Sequence, residues 1–318
     1  MAADYLHNHS DFSALLNILA DQMQIQPGLI EKDYWIMHCL YGLNQTGLEF
    51  ELKGGTSLSK GFKIIDRFSE DIDIHIKPPI QFGINENPKN IKPNNVAARL
   101  KFYDWLADTI KMEGITAVER DHNFDNADTG NSGGIRLYYN SVTSLIEGVK
   151  DGILLEAGFD TVTPNFKLTI SSWAYDYAAS LGTIELIDNR AVDIACYHQG
   201  YTFVEKLQTI ATKFRQEQAG GKERPNFMRQ YYDVYRLLEN DVVLNFIGTE
   251  EYHQHKRSRF PAPDFNIEIA KNEAFLMSDP DVRSKFKMRY LHTKALYYSG
   301  QPDFDDILAR IQEFSGKL

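Results

Sequence analysis

Two aspartates separated by a single residue, Asp71 and Asp73, stand in the segment Glu70-Asp71-Ile72-Asp73-Ile74-His75-Ile76. Its polar–apolar alternation predicts a strand, with both carboxylates on one face and Ile72 and Ile74 entering the core. Carboxylates held side by side repel one another unless a cation lies between them. Upstream, Lys53-Gly54-Gly55-Thr56-Ser57 lies at a distance that fits one intervening helix. A glycine pair opening a helix offers backbone N–H groups to an anion. A cation site beside a phosphate cradle is the minimum equipment for metal-assisted chemistry on a nucleotide.

In such chemistry Asp71 and Asp73 would ligate Mg²⁺ or Mn²⁺, with water and phosphate completing the shell. A second ion about 4 Å away can activate an attacking hydroxyl. Gly54, Gly55 and the start of the following helix would hold phosphate, and Thr56 or Ser57 could add a hydroxyl contact. A third carboxylate would complete a two-metal site. Glu156 is a candidate because it ends the apolar stretch Ile153-Leu154-Leu155-Glu156-Ala157, and buried strands rarely carry an unpaired carboxylate. A solvated strand-end glutamate is the plainer reading, and Asp160 competes for the role.

These residues need a scaffold. Hydrophobic periodicity predicts a strand over 48–52, a helix over 56–65 and a strand over 71–76. Helices are expected over 9–24, from Pro27-Gly28 onward with Ile30, Tyr34, Met37 and Leu40 facing inward, and over 96–112. Further strands are expected at 115–118, 135–139, 153–157 and 184–187. Residues 121–128 have the look of a calcium loop, but Asn126 stands where glycine is needed and Ser132 where glutamate is needed. A mobile polar loop is expected there. From Tyr201 the pattern turns helical, with a break at Gly220-Gly221-Lys222-Glu223-Arg224-Pro225 and a last helix over 304–314. The expected fold class is α+β: a mixed sheet with flanking helices over 1–197, then a helical half over 198–318.

Composition narrows the function classes. The 318 residues are 43% hydrophobic and 25% charged, ordinary for a globular protein. No apolar run approaches the ~20 residues that span a bilayer, and the start of the chain does not read as a signal peptide. Cys39 and Cys196 form neither a disulfide framework nor a zinc motif, so a cytoplasmic setting is expected. A net charge of −10 argues against a general nucleic-acid binder and leaves any RNA contact to local clusters. Lys256-Arg257-Ser258-Arg259 and Lys285-Phe286-Lys287-Met288-Arg289 are such clusters, with Phe260 and Phe286 as possible stacking partners for bases.

The segments Leu52-Lys53-Gly54-Gly55-Thr56-Ser57-Leu58-Ser59-Lys60 and Ile65-Asp66-Arg67-Phe68-Ser69-Glu70-Asp71-Ile72-Asp73 together resemble the AbiEii/AbiGii nucleotidyltransferase toxins, a branch of the polymerase-β-like nucleotidyltransferases. Ile30-Glu31-Lys32-Asp33-Tyr34, Val204-Glu205-Lys206-Leu207 and Gln230-Tyr231-Tyr232-Asp233-Val234-Tyr235 agree in order, so the resemblance covers roughly 28–240. It implies a toxin of a bacterial toxin–antitoxin or abortive-infection pair, using a nucleoside triphosphate to modify a target, with some members extending the 3′ end of tRNA. It further implies a cognate antitoxin, Asp71 and Asp73 as the metal pair, Lys206 as a triphosphate contact and Asp233 as a late aspartate needed for activity. Lys60 and Arg67, within the matching segments, are candidate phosphate ligands.

Lys206 and Lys213 share a helix face and could meet a polyphosphate, or could simply be solvated. Asp233, flanked by Arg229 and Arg236, reads either as a surface ion-pair network or as an aspartate held against a cleft. The leading expectation is a Mg²⁺-dependent transfer of a nucleotide to an RNA end. The alternatives are transfer to a small molecule or protein side chain, and a catalytically silent nucleotide- or partner-binding module.

Overall fold

The computed structural model of the protein describes residues 3–87, 89–144, 146, 150–160 and 162–318. The chain divides into two compact units. The first comprises residues 1–61 and 68–197, and the second comprises residues 62–67 and 198–318. The sequence alone assigned 62–67 to the sheet half. In the structure this segment belongs to the helical unit, where the Asp66 N–H donates to Tyr232 Oη at 3.1 Å. The Tyr298 N–H and hydroxyl donate to the carbonyls of Asp66 and Ile65, both at 3.1 Å.

The first unit is built on a seven-stranded mixed sheet. Its strands are β1 (Phe50–Lys53), β2 (Asp71–Ile76), β3 (Ile115–Asp121), β4 (Ser132–Tyr139), β5 (Ile153–Gly158), β6 (Asn165–Ile170) and β7 (Ala191–Tyr197), in the order β3-β4-β5-β2-β1-β7-β6. β2 runs parallel to β5 and antiparallel to β1, and β1 runs parallel to β7. The period-two pattern of β2 is realised: Ile72, Ile74 and Ile76 are buried, while Asp71, Asp73 and His75 lie half-buried on the other face.

Helix α1 (Phe12–Met23) packs against α2 (Pro27–Gln45), which lies across β2, β5 and β7. Every residue of α2 from 29 to 40 is buried, so the helix is enclosed all round. A three-residue turn of α-helix, α3 (Gly54–Thr56), follows β1 and runs into a π-helical turn, Ser57–Gly61. The expected helix over 56–65 therefore ends early, and the chain leaves it for the helical unit. Helix α4 (Pro93–Thr109) covers β3 and β4.

Two further expectations fail. No strand forms over 184–187, where Leu186 makes only an isolated bridge to Asp4. Strands β6 and β7 and helix α5 (Trp173–Leu181) occupy the region instead. The polar loop at 121–128 is tied down rather than mobile: Arg136 pairs with Asp121 at 2.6 Å and Arg120 with Asp125 at 2.9 Å.

The second unit is helical. α6 (Gln199–Gln218) packs on α7 (Arg229–Leu237), which in turn meets the helix Phe304–Phe314. Its core holds Phe203, Leu207 and Ile210 from α6, Tyr231 and Val234 from α7, and Ile307 and Ile311 from the last helix.

Candidate functional site

The strand face of the first unit gathers three carboxylates. Antiparallel pairing sets Lys53 at the end of β1 opposite Asp73, and parallel pairing sets Glu156 of β5 beside Asp73. Neighbouring residues in register share a face, so Asp71, Asp73 and Glu156 sit together, with Lys53 on the flank. Asp160 lies beyond the end of β5 and has no place in this register. Burial, with the charges of Asp73 and Asp71 acting in the same direction, pushes the Glu156 carboxyl up from its ordinary 4.5 to about 8.

Gly54 belongs to the same cluster. Its φ of +73° is the left-handed conformation that favours glycine. A Cβ there would lie 2.2 Å from Asp73 Oδ2, so no other residue lets the turn approach the carboxylate this closely. Gly55 is buried behind it. The two hydroxyls expected to touch phosphate are committed elsewhere: Thr56 Oγ1 donates to the Asp71 carbonyl at 2.6 Å, and Ser57 Oγ to the Gly54 carbonyl at 2.9 Å. A hydroxyl has one proton to give, so as they stand these side chains brace the turn and leave anion binding to the backbone.

Three residues quoted above for their resemblance prove to be the braces of the cluster. Glu31, Lys32 and Asp33 of α2 are consecutive charges exposed by only 1%, 3% and 2%. Glu31 accepts from Ser141 Oγ at 2.7 Å and from the Val142 and Thr143 N–H groups at 2.8 and 3.1 Å. Lys32 Nζ donates to the carbonyls of Lys150 and Gly152, the latter at 3.0 Å. Burial pulls its ammonium down to about 8, against the opposing pull of Glu70 and Asp71. Asp33 takes the Trp173 N–H at 2.8 Å and the Lys60 ammonium at 2.9 Å. Lys60 also lies over the Trp173 ring. It is thus the counter-ion of a buried aspartate, in place of the expected phosphate ligand.

One more neighbour of Asp71 comes from outside the motifs. Lys150 Nζ sits 3.4 Å from both Asp71 oxygens, and the Lys150 N–H donates to buried Glu70 at 3.4 Å. The buried charges of α2 had a signal, since charged residues interrupt a helix that is otherwise apolar on every side. Lys150, an isolated lysine outside any periodic pattern, had none.

Among the described residues, no group of three or more His, Cys, Asp and Glu side chains is drawn together tightly enough to form a ready metal cage. The oxygen-only donor set still fits Mg²⁺ or Mn²⁺, which typically take one or two protein carboxylates and keep the rest of their shell as water or phosphate. Close approach of Gly54 to Asp73 leaves the backbone cradle and the carboxylates in one place.

The helical unit holds a second, differently balanced group. Asp233 is fully buried and receives Arg67 in a fork, Nε to Oδ1 at 2.6 Å and Nη2 to Oδ2 at 2.7 Å. Lys206 Nζ pairs with Asp233 Oδ2 at 2.6 Å and donates to Gln230 Oε1 at 3.1 Å. Burial pushes the Asp233 carboxyl up, but Arg67 and Lys206 outweigh it and hold the group below its ordinary value. The expected surface network is therefore a buried one. Arg236 turns instead to Asp66 at 3.0 Å and to Glu239. Arg67, expected on phosphate, is committed to Asp233. Lys213 lies half-buried on α6.

The basic clusters of this unit are internally paired: Lys285 with Glu223, Arg289 with Glu217, Lys287 with Asp303 and Asp305, and Arg257 with Glu250. Phe260 and Phe286 are exposed by only 5% and 1% and cannot stack on a base without unpacking.

The fold is that of a nucleotidyltransferase toxin. MenT4, a nucleotidyltransferase toxin from Mycobacterium tuberculosis H37Rv, superposes with a TM-score of 0.50 at 15% identity, over 94% of each chain. The model of the AbiEii nucleotidyl transferase toxins of type IV toxin–antitoxin systems matches residues 38–310, and the chain belongs to that family. A search of curated proteins gave no match. No helix among the described residues is long and apolar enough to cross a membrane.

Proposed function

We propose that this toxin is a Mg²⁺- or Mn²⁺-dependent enzyme that transfers a nucleotide from a nucleoside triphosphate to the hydroxyl of an RNA end, with tRNA as the acceptor. The registration of Asp73 with Glu156 across two parallel strands carries the catalytic half of this reading. Three carboxylates on one sheet face, beside a glycine turn, offer the oxygen donors that a divalent cation takes. The RNA acceptor rests on family resemblance.

Asp71 and Asp73 would hold the ion, with Glu156 as third ligand. When bound, the ion polarises the α-phosphate and favours the ionised acceptor hydroxyl. The backbone N–H groups at Gly54 and Gly55 bind phosphate oxygens, and the missing Gly54 side chain keeps them against Asp73. As the acceptor hydroxyl loses its proton, its oxygen bonds to the α-phosphorus and the bond to pyrophosphate breaks. Lys206 is proposed as a nucleotide-binding residue of the helical unit. Asp233, which no solvent reaches, acts as a positioning residue that orients Lys206.

Incubation with each labelled triphosphate and total tRNA tests the reading. Label on RNA from wild type, and none from Asp71→Asn or Asp73→Asn, is expected. Label on RNA from both variants at the wild-type level would reject the assigned site, and label confined to protein or small molecules would reject the acceptor.

A further inference from the structure

Lys150 holds a position that its backbone fixes and its side chain can leave. Its N–H is bound to buried Glu70, and its carbonyl takes a hydrogen bond from the ammonium of Lys32, which also holds the Gly152 carbonyl. Lys32 is almost wholly enclosed, so the Lys150 backbone is pinned from the protein interior. Its side chain is 31% exposed and lies along the Phe124 ring, 4.6 Å from the centroid. The ammonium stands astride Asp71, 3.4 Å from each oxygen. A divalent ion on Asp71 would compete for the two oxygens that Lys150 covers, and two cations at such a separation repel.

We propose, on the carboxylate reading above, that Lys150 is the resident counter-cation of the pair: it covers Asp71 in the metal-free chain and passes to nucleotide phosphate when a divalent ion binds. The place to which it moves is close at hand. The Asp71 carbonyl accepts the Thr56 hydroxyl at 2.6 Å, so the Gly54–Thr56 turn that would hold phosphate abuts the residue Lys150 leaves. A partly exposed pair at 3.4 Å is weak enough to yield. The ammonium keeps three donors for phosphate oxygens, while the stem pivots on a fixed backbone.

A group that competes with metal and then aids nucleotide has effects of opposite sign on the two ligands, which a merely structural lysine would not show. Mn²⁺ titration followed by its electron-spin signal, without nucleotide, gives the first. Lys150→Gln is expected to bind Mn²⁺ about three- to tenfold more tightly than wild type. Lys150→Arg, with a fork that grips a carboxylate better, is expected to bind it more weakly. Titration of a non-hydrolysable triphosphate with Mg²⁺ gives the second, and Lys150→Gln is expected to lose affinity by a similar factor. Asp71→Asn serves as control. Mn²⁺ affinity unchanged by either Lys150 variant, but lost in Asp71→Asn, would overturn the role of Lys150 and leave the carboxylate site standing. No Mn²⁺ binding by wild type or any variant would overturn both. Should Lys150→Gln not fold in metal-free melting curves, the Arg variant alone decides, since equal affinity there also defeats the proposal.

Discussion

Aspartate plays opposite parts in the two units. On the sheet face Asp71 and Asp73 share space with Glu156, whose carboxyl is raised first by burial and then by their negative charge. In the helical unit Asp233 is more deeply buried, yet Arg67 and Lys206 more than offset the loss of water and keep it ionised. One cluster gathers three carboxylates at a half-buried surface with the partly exposed Lys150 on Asp71, and the other is closed around one carboxylate and two cations. Like charges gathered at a surface suit the binding of a cation, whereas a closed buried network suits positioning.

The two clusters should respond differently to removal of a carboxylate. Asp73→Asn deletes a repulsive charge, so melting temperature should hold or rise. Nucleotide transfer should fall about a thousandfold, the equivalent of the several kcal/mol a polarising metal supplies at 1.36 kcal/mol per decade. Asp233→Asn strands two buried cations and should cost about 3–5 kcal/mol of stability by denaturant melting. A melting temperature equal to wild type would show that Arg67 and Lys206 find other partners. Rescue of Asp233→Asn by Lys206→Met, which removes one of the stranded charges, should be partial.

Acid and base should separate them as well. The Glu156 carboxyl is raised in the folded state, so the folded chain binds its proton more tightly than the unfolded one. Its contribution is present at low pH and is lost as pH climbs from about 4.5 to about 8. The metal-free protein should therefore lose stability over that window, and Glu156→Gln should flatten the slope. The Asp233 carboxyl is lowered, so its contribution is present above the ordinary value of 3.8 and is lost as pH falls below it. Urea midpoints across the pH range check both signs, and a slope unchanged in Glu156→Gln would remove that carboxylate from the cluster. The smallest expected effect belongs to Thr56→Val, which loses one hydrogen bond to the Asp71 carbonyl, about 1 kcal/mol.

Much of the sheet was readable because period two is a local property. Asp71 to Ile76 alternates so cleanly that strand and face follow from six residues, while β5 is marked by a short continuous apolar run before Glu156. Strands β6 and β7 were missed because neither alternates: Val192 and Asp193 are both exposed and Asp193 has a φ of +58°, while the edge strand β6 carries Phe166 outward. The hydroxyls of Thr56 and Ser57, and the ammonium of Lys60, were read as ligands because residue type says what a group can donate and not what already holds it. Asp33, the partner of Lys60, is 27 positions upstream.

By itself the sequence determined the carboxylate strand, the glycine turn before it and the family to which they belong. Each depends on spacing within a few residues or on motif order along the chain. Only the tertiary structure decided which charges are spent and which remain. Arg67 meets Asp233 across 166 positions, and Lys150 meets Asp71 across 79. Pairings at that range arise from packing, which removes water from some charges and leaves others exposed. That difference separates Asp233, wholly buried between Arg67 and Lys206, from Asp71 and Asp73, which stay half-buried at the sheet face.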